Sequence, residues 1–241
     1  MDTQGATGSE PQRVGSYRLV RELGRGGQAI VWLAEDSRIG RQVALKMLPH
    51  LGPGGEEALR RFRREAEVTA RLEHPGICGI YDADIDGETP YIAMRLVAGR
   101  TLAQILSEAR KQENADVSTS WPPSSALGVR RVLHLFERVA RALHAAHEAG
   151  VVHRDVKPGN VMIAEDESPV LLDFGLARDE QSDVATLTQS GDVFGTPAYM
   201  SPEQLTGGGA AIDRRTDVYS LAASLHEALT LSRPYEAPTR L

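Results

Sequence analysis

The sequence feature that most constrains the fold is a polar run between apolar segments, His153-Arg154-Asp155-Val156-Lys157-Pro158-Gly159-Asn160. A stretch with helical periodicity, 132–150, precedes this run, and the short apolar segment 161–163 follows it. Thirteen residues after Asn160 comes Asp173-Phe174-Gly175, which follows a second apolar segment, 170–172. Two carboxylates, one amide and one lysine are therefore predicted on loops beside buried, strand-like segments.

These side chains suit the chemistry of phosphoryl transfer. Carboxylate and carboxamide oxygens, as in Asp173 and Asn160, are ligands that Mg²⁺ accepts together with substrate phosphates. A lysine such as Lys157 can neutralise a phosphoryl group during transfer, and an aspartate such as Asp155 can accept the proton of an attacking hydroxyl. Asp-Phe-Gly alone is often just a turn, but the two motifs at this spacing favour a functional interpretation.

Together the two motifs resemble the catalytic loop and the metal loop of eukaryotic-like Ser/Thr protein kinases, in wording typical of their bacterial branch. The resemblance implies an α+β fold with two lobes and ATP between them. We expect a disordered tail at 1–16, an N-lobe of five antiparallel strands and one helix at 17–98, and a mainly helical C-lobe at 99–241. The implied reaction transfers the γ-phosphoryl of Mg-ATP, with Mn²⁺ as an alternative ion, to Ser or Thr hydroxyls of proteins.

A glycine cluster, 24–27, separates the first two of three strand-like runs within 17–48. Such a cluster is often only a hairpin turn, although glycines also let a backbone approach phosphates closely. The cluster begins 22 residues before Lys46, which matches the phosphate-covering loop of the kinases. Ala29 replaces the third glycine of that family motif.

A helix predicted over 56–72 places Glu65 on the same stripe as Phe62 and Thr69, whereas Glu67 points elsewhere. A carboxylate on a buried face needs a cationic partner, because an unpaired buried charge is costly. The alternative is a partly exposed glutamate. By the family resemblance, Glu65 would pair with Lys46, and Lys46 would contact the α- and β-phosphates of ATP.

The resemblance also implies the other site residues. Asp155 would accept the hydroxyl proton, Lys157 would steady the γ-phosphoryl, and Asn160 and Asp173 would hold the metal ion. The nucleotide would contact the glycine loop, the strands beside it and the segment that joins the lobes. One residue of the C-lobe would lie below the adenine. These residues are Leu23, Gly24, Arg25, Gly26, Gly27, Gln28, Ala29, Ile30, Val31, Ala44, Lys46, Met94, Leu96 and Met162.

The loop between Asp173 and Glu203 contains three candidate phosphorylation sites, which are Thr186, Thr188 and Ser190. By resemblance, Arg154 would bind the phosphorylated side chain through charge-assisted hydrogen bonds, and the loop would be autophosphorylated. The alternative is a merely polar loop. The run 195–203 resembles the end of the kinase activation segment, with Ser201 in place of the usual alanine.

Two further expectations concern the helix before the catalytic loop and the helix that begins near Asp217. By resemblance, Asp217 would brace the backbone of the catalytic loop. His144 and His147 lie on the helix before the catalytic loop, and we expect packing or surface roles for them, because a metal site needs further clustered ligands.

Composition limits the remaining options. The net charge of −6 gives no general basic surface for nucleic acid. The lone cysteine, Cys78, is expected to be buried within the fold, and the absence of a second cysteine fits a reducing compartment. No apolar run is long enough for a membrane span. Together these features predict a cytoplasmic chain. A kinase homodimer is left open.

The sequence ends soon after Pro234, before the later helices of the family's second lobe. We therefore expect an incomplete C-lobe in which Glu203 lacks its usual arginine partner and is left unpaired. A nucleotide-binding scaffold or pseudo-enzyme is the alternative function, because loss of those helices could impair catalysis. A small-molecule phosphotransferase is disfavoured by the run 195–203, which presents a protein substrate in the kinases.

Overall fold

The computed structural model of the chain describes residues 12–26, 29–48, 55–113, 126–174, 197–206 and 212–234. By its packing the chain divides into two compact units. The first contains the residues up to Leu59 together with Ile80–Leu96, and the second contains Arg60–Gly79 together with the residues from Val97 onward. The domain boundaries expected from the sequence, 17–98 and 99–241, stay predictions.

The first unit is built on an antiparallel sheet of six strands in the order β1-β2-β3-β4-β6-β5. The strands are β1 Arg13–Val14, β2 Tyr17–Arg25, β3 Ile30–Asp36, β4 Arg41–Met47, β5 Ile80–Asp84 and β6 Tyr91–Arg95. Five of these strands were predicted. The sixth, β1, lies within the stretch expected to be a tail, and a strand of two residues is too short to show any periodicity.

Strand register divides the side chains of this sheet between two faces. Trp32 lies opposite Leu45, and Ala34 lies opposite Val43, and residues directly opposite one another in an antiparallel pair share a face. One face forms the buried core of the unit, which consists of Tyr17, Leu19, Ala34, Val43, Leu45, Met47, Tyr91 and Ala93. Val43, Leu45 and Met47 therefore alternate with Ala44 and Lys46 along β4.

The second unit is mainly helical, with a small three-stranded antiparallel sheet in the order β7-β8-β9. Helix α1, Gly55–Thr69, contains the boundary between the units. The remaining elements are β7 Gly99–Thr101, α2 Leu102–Glu113, α3 Ala126–Glu148, β8 Val161–Ala164, β9 Pro169–Leu171, α4 Pro202–Thr206 and α5 Arg215–Thr230. Single 3₁₀ turns occur at Pro158–Asn160 and Pro197–Tyr199.

The core of the second unit lies around α3, the 23-residue helix that overlaps the stretch 132–150 predicted from apolar periodicity. Its buried residues Val132, Phe136, Val139 and Leu143 pack with apolar residues of α2, β8, β9 and α5. Cys78 is buried, as predicted. Within the described residues, no helix is long and apolar enough to cross a membrane.

Gly99 allows β7 to lie close against β8. Its φ is +154°, and a Cβ built there would lie 2.1 Å from the carbonyl oxygen of Ile163. A side chain at this position would therefore force the two strands apart. The small sheet supports the polar loop between α3 and β8.

Replacing Phe136 with alanine tests whether α3 organises this core. Phe136 is 4% exposed, so Phe136→Ala should lower the free energy of unfolding by about 3–5 kcal/mol. Leu127→Ala is the matched control on the same helix, because Leu127 is 78% exposed and its loss should cost less than about 0.5 kcal/mol. Urea denaturation measures both changes, and equal midpoints for the two variants would contradict the assigned core.

Candidate active site

The second face of the large sheet carries predicted nucleotide-binding residues. Val31 lies directly opposite Lys46, and Ala44 lies opposite Met94. Ala44 and Lys46 are two residues apart on β4, so all four side chains share the face that does not form the core of the unit. Ala44 is buried, whereas Val31, Lys46 and Met94 are partly exposed.

Gly24 lies near the end of β2, and Gly26 directly follows that strand. The backbone N–H of Gly26 donates to the carbonyl oxygen of Ala29 at 2.8 Å. Gly24 lies opposite Val31, and Leu23 is 39% exposed. An added Cβ at Gly24 would meet no atom of the described residues within 4 Å. Packing against those residues therefore does not require glycine at this position.

Of the remaining predicted nucleotide contacts in the first unit, Arg25 and Ile30 are paired across β2 and β3, and Leu96 directly follows β6. Met162 belongs to the second unit, on β8. Predicted residues that lie outside the described part of the chain are Gly27, Gln28, Thr186, Thr188 and Ser190.

Glu65 lies on the buried face of α1, together with Phe62 and Thr69, whereas Glu67 is exposed. The predicted stripe is therefore correct. Lys46 belongs to the first unit and Glu65 to the second, and their pairing stays a prediction.

The carboxylate of Asp155 is held by two neighbours in its own loop. The Nζ of Lys157 lies 2.7 Å from Oδ2 and 3.0 Å from Oδ1, and the Nδ2 of Asn160 donates to Oδ2 at 2.9 Å. Asn160 also donates to the backbone carbonyl of Asp155 at 2.8 Å. Oδ2 thus has two donors and Oδ1 has one, while the side chains of Asp155 and Lys157 remain 16% and 24% exposed.

His153 connects this loop to the segment that contains the Asp-Phe-Gly motif. Its Nδ1 accepts from the backbone N–H of Asp155 at 3.3 Å, so its Nε2 carries the hydrogen that is donated to the carbonyl of Leu172 at 3.0 Å. Its ring packs against Phe174 with the ring centroids 4.6 Å apart. The N–H of Leu172 donates to the carbonyl of Asn160 at 2.9 Å. These contacts fix the two predicted motifs side by side.

A buried carboxylate, Asp217 at the start of α5, holds the backbone of the polar loop. It accepts the N–H of His153 at 2.8 Å and the N–H of Arg154 at 2.7 Å. Its third partner is the Nε2 of His147 at 2.7 Å. Asp217 is 0% exposed, so these three donors replace the water that a carboxylate otherwise needs.

The described end of the activation-segment run is anchored by a second buried acid. The hydroxyl of Tyr199 donates to Glu227, which also forms an ion pair with Arg110. Burial raises the pKa of Tyr199, and the hydrogen bond to Glu227 raises it further. The Nε of Arg110 donates to the carbonyl of Leu231 at 2.6 Å, so this cluster joins α2, α5 and the turn at Pro197–Tyr199.

Glu203 has a hydrogen-bond partner within the chain, which corrects our expectation that it would be left unpaired. The hydroxyl of Thr216 donates to Glu203 at 2.7 Å and lies 2.6 Å from the hydroxyl of Ser201. The hydroxyls of Ser201 and Thr216 and the carboxylate of Glu203 therefore form one hydrogen-bonded group. The hydrogen bond from Thr216 lowers the pKa of the Glu203 carboxyl. Ser201, which replaces the family's usual alanine, is part of this network.

Comparison with known proteins identifies the family. Residues 17–240 match the model of the protein kinase domain. Serine/threonine-protein kinase PknA of Mycobacterium tuberculosis is 39% identical over 226 residues, which cover 92% of this chain and 48% of PknA. Serine/threonine-protein kinase PksC of Streptomyces coelicolor is 42% identical over 232 residues, which cover 94% of this chain and 39% of PksC.

Solved structures agree with this result. The crystal structure of the Mycobacterium tuberculosis PknI kinase domain matches with a TM-score of 0.69 and 30% identity, covering 97% of this chain and 82% of that one. Because the family model matches nearly the whole chain, the protein belongs to the protein kinase family. The predicted resemblance to the bacterial serine/threonine kinases is confirmed. The chain spans about a third to a half of the curated relatives' length, 31% and 48% in two of them.

Sequence reasoning missed the contributions of His147, Thr216 and Gln204. His147 follows Leu143 by four residues on the apolar stripe of α3, and this spacing could have indicated an inward-pointing ring. Thr216 is 0% exposed, but a threonine beside Asp217 gives no signal of a partner thirteen residues earlier. The hydrogen bond from Gln204 to the carbonyl oxygen of Arg154 depends on tertiary contact between α4 and the loop before β8.

The Thr216–Glu203 hydrogen bond predicts a pH dependence of stability. The pKa of Glu203 is lowered in the folded protein, so its stabilising effect is complete above the unfolded pKa of about 4.3 and is lost as pH falls through the folded pKa. Thr216→Val should therefore be destabilising at neutral pH, with a smaller deficit in acid. Denaturant unfolding of both proteins between about pH 3 and pH 7 measures the difference, and a deficit independent of pH would contradict the assignment.

Proposed function

We propose that this chain catalyses transfer of the γ-phosphoryl of ATP to serine or threonine hydroxyls of proteins. The observation that carries the proposal is the arrangement of Asp155, Lys157 and Asn160, in which one carboxylate, one ammonium and one amide meet within hydrogen-bonding distance. Membership of the kinase family supports the same reaction.

Asp155 is proposed to orient the substrate hydroxyl and to accept its proton. Oδ1 suits this role better than Oδ2, because each donor that binds a carboxylate oxygen lowers its basicity, and Oδ1 has one donor while Oδ2 has two. The partial exposure of Asp155 leaves room for a substrate side chain. Lys157, within 3.0 Å of both oxygens, is proposed to stabilise the negative charge on the phosphoryl group in transfer.

Asn160 and Asp173 are proposed to hold the metal ion, Mg²⁺ or Mn²⁺. The donor set fits such an ion, because both side chains supply oxygen, and the Nδ2 of Asn160 is used on Asp155, which leaves its Oδ1 for a cation. When bound, the ion neutralises the charge of the ATP phosphates. The bonds of His153 and Leu172 keep the loops of Asn160 and Asp173 together.

ATP is proposed to contact the sheet face that carries Val31, Ala44, Lys46 and Met94. Val31 and Ala44 would supply apolar contact to the adenine, and Lys46 would bind the α- and β-phosphates. The glycine segment would cover the phosphates, and the lack of described atoms within 4 Å of an added Cβ at Gly24 is consistent with a backbone that approaches a ligand.

Autophosphorylation at Thr186, Thr188 or Ser190 is proposed as the regulatory step. Asp217 fixes the backbone N–H of Arg154, so Arg154 sits at a defined position from which its guanidinium could bind a phosphorylated side chain.

Asp155→Asn tests the proton acceptor. The change keeps the shape of the side chain but removes its basicity, so phosphoryl transfer should fall by at least ~10²-fold, while ATP affinity stays within a few-fold. Intact mass after incubation with Mg-ATP reports transfer, and titration calorimetry reports binding. A large loss of ATP affinity would assign Asp155 to binding and not to proton transfer.

Lys46→Met tests the phosphate contact on β4. The variant keeps the aliphatic stem but removes the charge, so kcat/KM should fall by about 10²- to 10³-fold. Arg41→Met, at an exposed position on the same strand, is the matched control and should retain activity. Equal activity of the two variants would exclude a catalytic contribution from Lys46.

A further inference from the structure

The carboxamide of Gln204 bridges two segments of the candidate active site. Gln204 lies on the short helix α4 and is 7% exposed. Its Nε2 donates to the carbonyl oxygen of Arg154 at 2.8 Å, and its Oε1 accepts the backbone N–H of Ser201 at 3.0 Å. One side chain therefore connects the residue immediately before Asp155 with the end of the activation-segment run.

Arg154 is held in a backbone conformation that a side chain disfavours. Its φ is +64°, and the left-handed region costs an ordinary residue roughly 1–2 kcal/mol. Such strain persists only where the surrounding structure over-determines the conformation. The constraints here come from both sides of the residue, since Asp217 accepts its N–H at 2.7 Å and Gln204 donates to its carbonyl at 2.8 Å.

The two constraints act on different peptide groups. The N–H of Arg154 belongs to the peptide that links it to His153, whereas its carbonyl belongs to the peptide that leads into Asp155. Asp217 therefore fixes the chain entering Arg154, and Gln204 fixes the chain leaving it. The direction of the Asp155 side chain depends on the second peptide plane.

We propose that Gln204 is a positioning residue for phosphoryl transfer. By holding the Arg154–Asp155 peptide, its amide keeps the Asp155 carboxylate aligned with the substrate hydroxyl. This inference rests on the proposed function of Asp155. Gln204 acts through Arg154, and the same amide ties that alignment to Ser201. The position of Ser201 and the alignment of the proton acceptor are thereby joined through one side chain.

Gln204→Glu tests the proposal with a nearly isosteric change. The introduced carboxylate still accepts the N–H of Ser201 but cannot donate to Arg154 while it is ionised. We expect kcat for transfer to dephosphorylated casein to fall by about 10- to 100-fold, as misalignment of a catalytic group does. The KM for ATP should stay within about two-fold, because the change does not touch the sheet face proposed to bind the nucleotide.

Gln104→Glu is the matched control. Gln104 is exposed at the start of α2, where its Oε1 accepts the N–H of Thr101 at 2.9 Å and its own N–H donates to the Thr101 hydroxyl at 3.2 Å. Glutamate serves equally in such a capping box. The same change of charge should therefore leave kcat unaltered at this position.

The pH dependence of Gln204→Glu separates positioning from a merely structural role. Burial and the carbonyl oxygen of Arg154 favour the neutral form of the introduced carboxyl, whereas the N–H of Ser201 favours its charged form. Once protonated, the carboxyl can donate to Arg154, so the kcat ratio of variant to wild type should recover as pH falls from about 8 to about 5, towards the usual glutamate pKa of about 4.3. Gln204→Met offers neither donor nor acceptor and should show no recovery. The charged residues near position 204 are Arg154, Glu203 and Asp217. They are unchanged in the wild type, Gln204→Glu and Gln204→Met, so they do not cause a difference between these proteins.

The outcomes distinguish this inference from the proposed function. If the wild type is active and folded Gln204→Glu has an unaltered kcat, the positioning role is overturned while the kinase proposal stands. A loss of kcat with the same ratio at every pH, or unfolding of both Gln204 variants, would assign Gln204 a structural role and also overturn it. A wild type without transfer activity would overturn the proposed function itself.

Discussion

One buried carboxylate determines the geometry of the candidate active site. Asp217 has no exposed surface, yet it remains compatible with the fold because two backbone N–H groups and one imidazole donate to it. Removing a single partner from such a group leaves a polar atom unsatisfied at a cost of about 1–3 kcal/mol. The loop of Asp155 is therefore tied to α5 by interactions that are strong because water is excluded.

The helix that carries Asp217 also anchors the segment beyond the catalytic loop. Glu227, ten residues later on α5, receives the hydroxyl of Tyr199 and the guanidinium of Arg110. Thr216, at its first turn, donates to Glu203. Two buried acids and the partly buried Glu203 are thus satisfied by donors from other elements, and α5 becomes the frame on which the candidate active site is arranged.

The sheet of the first unit places its core residues and the residues proposed to bind ATP on opposite faces. Because side chains alternate along each strand, Val43, Leu45 and Met47 form the core while Ala44 and Lys46 face away from it. A lysine can therefore be supported by rigid neighbours without entering an apolar core. In the second unit the polar groups Asp155, Lys157 and Asn160 lie on a loop. Hydrogen bonds hold them there, and not the alternation of side chains along a strand.

Much of this protein could be predicted from the sequence, because the relevant signals are local. Strand alternation, the stripe of Phe62, Glu65 and Thr69 on α1, and the apolar face of α3 all follow from the repeat of one secondary structure. The motifs around Asp155 and Asp173 identified the family, since eight adjacent residues and a second motif at family spacing seldom coincide by chance. The two-residue strand β1 was missed because it is too short to show a period.

What the tertiary structure alone decided is how the polar groups are satisfied. The partners of Glu203, Arg154 and Asp217 lie thirteen, fifty and up to seventy residues away in the chain. Neither periodicity nor composition records such contacts, because each depends on where separate elements meet. The sequence by itself determined the elements, the family and the candidate chemical groups. The packing of α3, α4 and α5 decided which donor meets which acceptor, and with it the positions of Arg154 and Asp155.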